Sequence, residues 1–345
     1  MTTPRERVDV LIASPLDQSH VDRIAAAEPE RVNVMYEPEI LPTTRYVADH
    51  HGPHRQLTDA QRAHWASLLA RAEVSFDFDW EQPKEMLRRA PRLRWVQSTS
   101  SGIGPMLENI GVAASNLLVT NAAGIHAQPL AEFVITAALY FTKELPRINA
   151  LKAERRWERY CGYEIAGTRM VIVGMGGVGR RVAELASSLG IEVIGHRRKL
   201  DDVPGVARMV DAAGLDAELP DADFLVLIAP DTPLTRNMID RRRLELLPER
   251  AVIINIGRGS IIDEPAMTEM LATGRLRGAG LDVFAKEPLP TTSPLWDLPN
   301  VLLVPHSAST VYPENDRLVD LFIENLHRYL DGRPMINVFN RERKY

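Results

Sequence analysis

Apolar residues along this chain fall into short runs separated by stretches of helical period. The runs at 8–13, 32–36, 72–78 and 94–98 read as strands, with helical patterns between them such as 60–72. A second series begins near Asn121, where Leu130, Phe133, Val134, Ala137, Ala138 and Phe141 recur at helical spacing and Pro129 suits a first turn. Apolar runs then follow at 170–173, 192–195, 224–228, 251–256, 278–283 and 301–304. Uninterrupted apolar strands spaced by helices predict a mostly parallel sheet covered on both faces, hence an α/β fold. A last amphipathic helix is expected over 315–330. The tail 334–339 has strand character and can pack back on the N-terminal unit, which would build the first domain from both ends of the chain. The stretch 40–62, rich in Pro, Thr and His, reads as an irregular excursion.

The sharpest local signal is Met170-Val-Ile-Val-Gly-Met-Gly-Gly-Val-Gly179. It places Gly174, Gly176 and Gly179 in G-x-G-x-x-G spacing directly after an apolar strand and at the start of a helix. Gly174 would permit the tight turn, Gly176 the approach of a pyrophosphate, and Gly179 close helix–strand packing. The pyrophosphate would meet free N–H groups at the helix start, where Gly177 and Val178 also stand. The next strand should end at the adenosine ribose, where an NAD enzyme usually carries an acid. Here it runs into His196-Arg197-Arg198-Lys199. Arg can hold a 2′-phosphate that a carboxylate would repel, so NADP is the expected cofactor, with Arg197 and Arg198 as its clamps. Asp201 and Asp202 lie slightly late for the ribose acid but keep NAD open.

Three further motifs each follow a strand, where open α/β sheets bind ligands. Ile253-Ile-Asn-Ile-Gly-Arg258-Gly-Ser260 delivers one Arg between small neighbours that would let a carboxylate approach its planar fork. Gly280-Leu-Asp-Val-Phe-Ala-Lys-Glu-Pro288 places Asp282 and Glu287, and Val301-Leu-Leu-Val-Pro-His306 places a histidine. Hydride transfer to a carbonyl develops charge on oxygen. A protonated His306 can donate to that oxygen, Glu287 would stabilise the imidazolium, and Arg258 would orient and polarise an oxo acid.

These motifs, in this order and over nearly the whole chain, resemble the D-isomer-specific 2-hydroxyacid dehydrogenase family, including its glyoxylate/hydroxypyruvate reductases and phosphoglycerate dehydrogenases. The resemblance implies a Rossmann dinucleotide-binding domain at 121–309, inserted in a flavodoxin-like substrate domain of 1–120 and 310–345, with the active site in the cleft between them. It implies Arg258, Glu287 and His306 as the catalytic set and Asp282 as the contact to the nicotinamide carboxamide. It adds Ala229, Pro230, Thr235 and Ile256 to the cofactor site. The loop Ser98-Thr-Ser-Ser-Gly-Ile-Gly104 is similar to the family's substrate loop, so Ser101, Gly102 and Ile103 are expected to bind the substrate carboxylate through N–H groups. Where the family often has an acidic residue, Gly104-Pro105 stands. Phosphite dehydrogenases carry a Lys in this loop and formate dehydrogenases a Gln in place of Glu287. Neither pattern occurs here. The resemblance further implies a homodimer through the dinucleotide-binding domain and a D-2-hydroxy acid product. Substrate choice would depend on 40–62, the 98–104 loop, Trp296 and the other subunit.

Composition narrows the alternatives. A formal net charge of −5 in 345 residues offers no general attraction for nucleic acid or anionic membrane. The single cysteine, Cys161, makes no internal disulfide, no apolar run is long enough for a membrane helix, and a cytoplasmic enzyme is expected. Asp49, His50, His51 and His54 invite a metal reading, but adjacent histidines beside Gly52-Pro53 are expected to be solvated, and no metal is predicted. Arg241-Arg242-Arg243 reads as a solvated helix start rather than a nucleic-acid patch. The non-catalytic alternative is a dinucleotide-sensing, corepressor-like scaffold of the same fold.

Overall fold

A computed structural model describes residues 7–342. The chain divides into two compact units. One holds everything up to Ile125 and from Thr310 on, and the other is His126–Ser309.

The first unit is built on five parallel strands: β1 (Val8–Ile12), β2 (Val32–Met35), β3 (Val74–Phe76), β4 (Trp95–Gln97) and β5 (Leu118–Thr120). Their order is β2-β1-β3-β4-β5, the flavodoxin-like arrangement. The pattern of apolar runs did not predict β5. Helix Glu314–Leu330 closes one face with Leu318, Val319, Phe322 and Leu326. Phe322 stacks on Trp95 and meets Phe76 edge-on, with ring centroids 5.1 and 5.3 Å apart, so the chain's end helps form the core of its beginning. The tail forms no strand. It makes one antiparallel bridge, Val338 to Thr120, and the Phe339 amide donates to the Val119 carbonyl at 2.8 Å.

The 40–62 excursion is irregular until helix Asp59–Arg71, which opens on a Thr58–Gln61 capping box. It is nonetheless pinned. Asp49 is buried and accepts from the Arg45 amide at 3.0 Å and from its guanidinium at 2.7 and 3.0 Å. The expectation of solvated histidines fails for His50, whose Nδ1 lies 2.9 Å from Ser14 Oγ and whose Nε2 is buried. Burial pushes its imidazole below the usual histidine range. Among the described residues no group of three or more His, Cys, Asp or Glu is placed to hold a metal ion. With the ends of β1 and β2, the excursion encloses a 630 Å³ pocket whose lining includes Leu16, Tyr36, Arg45, Tyr46, Arg55 and Asn315.

The second unit carries seven parallel strands: β6 (Arg169–Val173), β7 (Glu192–His196), β8 (Arg208–Val210), β9 (Phe224–Leu227), β10 (Val252–Asn255), β11 (Gly278–Leu281) and β12 (Val301–Leu303). The order β12-β11-β10-β9-β6-β7-β8 is the doubly wound Rossmann arrangement, with its switch between β6 and β9. The edge strand β8, which opens on Arg208, was not predicted either. Both faces are covered, one around Leu225, Leu244, Ile253 and Leu271, the other around Val134, Phe141, Ile172 and Val182. Gly278 and Gly280 let helix Ala127–Thr142 lie on β11: an added Cβ would come within 2.4 Å of the Phe141 ring and 2.9 Å of Ala137 Cβ. Arg241, Arg242 and Arg243 open a short helix and pair with Glu269 and Asp216, so their charge is locally balanced. Among the described residues no helix is long and apolar enough to cross a membrane.

Candidate active site

The topology sets every chemical motif of the second unit along one edge of its sheet. At the carboxyl ends of adjacent strands stand the glycine turn after β6, Arg197 after β7, Ala229-Pro230 after β9, Arg258 after β10, Asp282 and Glu287 after β11, and His306 after β12.

At the switch point, Gly174 has φ +114°, and a Cβ there would lie 2.7 Å from the Ala229 amide. A Cβ on Gly179 would lie 2.2 Å from the Gly174 carbonyl, so helix Gly177–Ser188 starts in contact with the strand it follows. Gly176 and Gly177 are the opposite case: nothing lies within 4 Å of a Cβ on either. Their open side, at the start of a twelve-residue helix, fits a dinucleotide pyrophosphate, because backbone amides and the positive helix end face the same space. Val178 is partly buried just behind them. Arg197 donates from Nη1 to the Met175 carbonyl at 3.3 Å and from Nη2 to Asp201. Ile256 is buried and its amide is bound to the Leu227 carbonyl at 3.1 Å. The Thr235 hydroxyl donates to the Pro230 carbonyl at 2.6 Å and accepts from the Thr232 amide at 2.9 Å, so it holds the 230–235 loop in shape.

The catalytic candidates are fixed from behind. Glu287 Oε1 accepts the Phe284 amide at 3.0 Å, and Oε2 lies 2.7 Å from His306 Nδ1. Glu264 Oε2 accepts the Ala285 amide at 2.7 Å, which fastens the same loop. His306 sits at φ +51°, a conformation costly for a non-glycine residue unless its surroundings enforce it. They do: its amide donates to the Asp282 carbonyl at 2.9 Å, and Asp282 Oδ1 accepts the Ser307 and Ala308 amides at 2.8 and 2.9 Å. Asp282 therefore anchors the histidine loop. Burial raises its carboxyl above the usual aspartate range, against the lowering effect of those two amides. The His306 side chain remains 46% exposed, so its far side is open to a reactant.

Arg258 is half-buried and gives Nη1 to the Gly257 carbonyl at 2.6 Å. Asn255 staples its turn, accepting the Gly257 amide and donating to the Arg258 carbonyl, each at 3.1 Å. Asp231 faces this corner. Its pairing with Arg236 lowers its pKa most, and Ser260 and Arg258 add to that. The glycines beside Arg258 have a different reason from the expected one. A Cβ on Gly259 would stand 1.9 Å from the Phe284 carbonyl carbon, so this glycine admits the Glu287 loop rather than a substrate.

In the first unit, Ser98 Oγ accepts the Ser100 amide at 3.1 Å, Gly102 is exposed and Ile103 buries its side chain in the core. Gly104-Pro105 begins the six-residue helix Gly104–Asn109, with Ile103 as its N-cap and Ser101 and Gly102 just before it.

Sequence reasoning did not single out Asn255, Glu264 and Asp231. Only Asn255 carried a signal, as a polar residue ending an otherwise apolar buried strand.

Comparison with known proteins agrees with this geometry. The family profile for the D-isomer specific 2-hydroxyacid dehydrogenase NAD binding domain matches residues 135–308. A glyoxylate reductase of Aeropyrum pernix is 32% identical over 270 residues, covering 75% of this chain and 79% of that protein. A D-3-phosphoglycerate dehydrogenase of Mycobacterium tuberculosis is 31% identical over 294 residues, 84% of this chain and 54% of that protein, so the chain spans about half that relative's length. A crystal structure of a D-isomer specific 2-hydroxyacid dehydrogenase from Xanthobacter autotrophicus Py2 in complex with NADPH and MES superposes with a TM-score of 0.79 at 26% identity, covering 99% of this chain and all of that one. The chain belongs to the D-isomer specific 2-hydroxyacid dehydrogenase family.

Proposed function

We propose that this protein transfers a hydride between NADPH and a small 2-oxo acid, with glyoxylate and hydroxypyruvate the first candidates, to give the D-2-hydroxy acid. The observation that carries this reading is the His306–Glu287 pair at 2.7 Å, two strand ends from Arg258 and on the same sheet edge as the glycine turn.

The reduced nicotinamide supplies the hydride. The residues supply the rest. Because Nδ1 of His306 is turned to Glu287, its Nε2 is the nitrogen that gives a proton to the carbonyl oxygen in reduction and takes it back in oxidation. Glu287 stabilises the imidazolium and, held by the Phe284 amide, sets the ring's orientation. The Arg258 fork, steadied through Gly257 and Asn255, orients the carboxylate and polarises the carbonyl. Ser101, Gly102 and Ile103 offer N–H groups to the substrate carboxylate. Asp282 has an oxygen besides Oδ1 for the carboxamide. Ala229, Pro230, Thr235 and Ile256 shape the nicotinamide side, and the Gly174–Gly179 turn takes the pyrophosphate. Arg197 and Arg198 take the 2′-phosphate, which favours NADPH while NADH stays usable. The NADPH found in the Xanthobacter relative and the substrate named for the Aeropyrum relative support this assignment.

The assembly we assign is a homodimer through the dinucleotide-binding unit, working in the cytoplasm. Support comes from large apolar side chains left in water on helix Leu145–Ala153 and the segment after it: Leu145, Ile148, Trp157, Tyr160 and Tyr163.

The test is oxidation of NADPH and of NADH across 2-oxo acids from glyoxylate to phenylpyruvate. Turnover with at least one acid, and its loss by about 10²-fold or more in His306→Ala with NADPH binding retained, is expected. No turnover on any acid, or full activity in His306→Ala, refutes the reading.

A further inference from the structure

The clamp assigned to the 2′-phosphate is filled by the protein itself. Arg197 leaves the end of β7, and its guanidinium is held on two sides: Nη1 donates to the Met175 carbonyl at 3.3 Å, inside the glycine turn, and Nε to the Lys199 carbonyl at 2.7 Å. Nη2 is paired with Asp201. The same carboxylate, through Oδ2, is the focus of two more cations, Arg180 Nη2 and Lys199 Nζ, each at 4.0 Å. Arg180 comes from helix Gly177–Ser188, one residue beyond the glycine turn. Three cations from the helix and from the loop after β7 thus converge on one anion position beside the dinucleotide turn. The anion in it is the chain's own. The Asp201 side chain is 37% exposed, on the loop that follows β7.

We propose that Asp201 is a built-in competitor for the 2′-phosphate site, and that Arg180 is a third cation of that site. This rests on the assignment of Arg197 to the 2′-phosphate. A phosphate monoester carries roughly −1.5 to −2 at neutral pH, so it cannot share these donors with an ionised carboxylate without strong repulsion. NADPH binding therefore displaces Asp201 from Arg197. NADH, with no phosphate, leaves the pair in place. The carboxylate holds the guanidinium oriented when the site has no phosphate, and it lowers the affinity for NADPH by the strength of the ion pair. An exposed pair of this kind corresponds to about one- to fivefold in affinity, and added repulsion toward a doubly charged phosphate raises the figure. Asp201 thus moderates the cofactor preference that Arg197 and Arg198 create.

The probes are 2′,5′-ADP and 5′-AMP, which differ only in the 2′-phosphate, titrated calorimetrically against the intact protein and its Asp201→Asn, Asp201→Ala, Arg180→Ala and Arg197→Ala variants. Both Asp201 variants are expected to bind 2′,5′-ADP about three- to tenfold tighter, with 5′-AMP unchanged, and the gain should shrink as salt rises. Arg180→Ala should weaken 2′,5′-ADP alone. If Arg197→Ala loses 2′,5′-ADP selectively but both Asp201 variants bind it no tighter, the competitor is refuted and the clamp stands. If Arg197→Ala does not change the ratio of the two probes, the clamp falls and the competitor with it. Asp201→Asn keeps the side chain's shape, so a lost loop conformation in Asp201→Ala cannot mask the result.

Discussion

Gly259→Ala is the most informative single change, because it reaches the proposed catalytic pair without touching it. The added Cβ would stand 1.9 Å from the Phe284 carbonyl carbon, 2.1 Å from its oxygen and 2.3 Å from the Ala285 nitrogen. All three are backbone atoms, so no side chain can swing aside. Carbon atoms in contact need about 3.5 Å, so the 284–287 loop and the Gly259 turn must separate by roughly 1.5 Å. That loop carries the amides that hold Glu287 and Glu264. A shift of this size stretches the 2.7 Å contact between Glu287 and His306 beyond hydrogen-bond range. Strain in a packed interior costs about 1–3 kcal/mol, and a misplacement near 1 Å at a reacting group costs about 10²-fold in rate. The variant should therefore melt several degrees lower and lose about 10²-fold in kcat/KM for the best oxo acid, with NADPH binding little changed. Glu287→Gln supplies the comparison. If both act through the same pair, the double variant loses far less than the product of the single losses. Full kcat/KM in Gly259→Ala, or losses that multiply independently, would refute the argument that this glycine exists to seat the Glu287 loop.

Three further outcomes follow from the same geometry. Asp282→Ala removes the acceptor of two loop amides and should destabilise the protein by about 2–4 kcal/mol in urea titration while lowering kcat, because His306 loses its enforced backbone conformation; a purely stability effect with intact kcat would count against the anchor. Arg197→Asp should move the ratio of kcat/KM from NADPH toward NADH, and an unmoved ratio places the 2′-phosphate elsewhere. Burial holds the His50 imidazole below its ordinary range, and burial together with Arg243 does the same for His196. The unfolded chain then takes up these protons first, so stability is complete above about pH 6.5 and is lost as pH falls below it. His50→Gln should flatten part of that decline in urea midpoints, and an unchanged slope would remove His50 from it.

What was legible in the sequence follows from the range of the forces involved. Strands of a sheet covered on both faces are largely apolar, so ten of the twelve announced themselves, and β5 and β8 did not. The glycine turn was readable because φ +114° at Gly174 and the packing of Gly179 on Gly174 admit no side chain. Arg258, Glu287 and His306 stood out as candidates because each follows an apolar strand, and parallel strands deliver their ends to one edge.

The supports behind these residues depend on partners that the chain order does not bring together. Sequence placed His50 in a solvated loop, whereas it meets Ser14 and buries its Nε2, beside an Asp49 buried against Arg45. It gave Gly259 to a substrate, whereas the backbone of Phe284, brought alongside by the pairing of β10 with β11, takes the space. It set Asp201 slightly late for the ribose while keeping NAD open, whereas the turn after β7 folds it back onto Arg197. Local rules of burial and turn geometry are written residue by residue, so the chain alone determined the fold class and where along it the candidate groups stand. Which carboxylate meets which cation or amide is decided by the tertiary structure, because hydrogen bonds and ion pairs act over a few ångströms and only folding sets those distances.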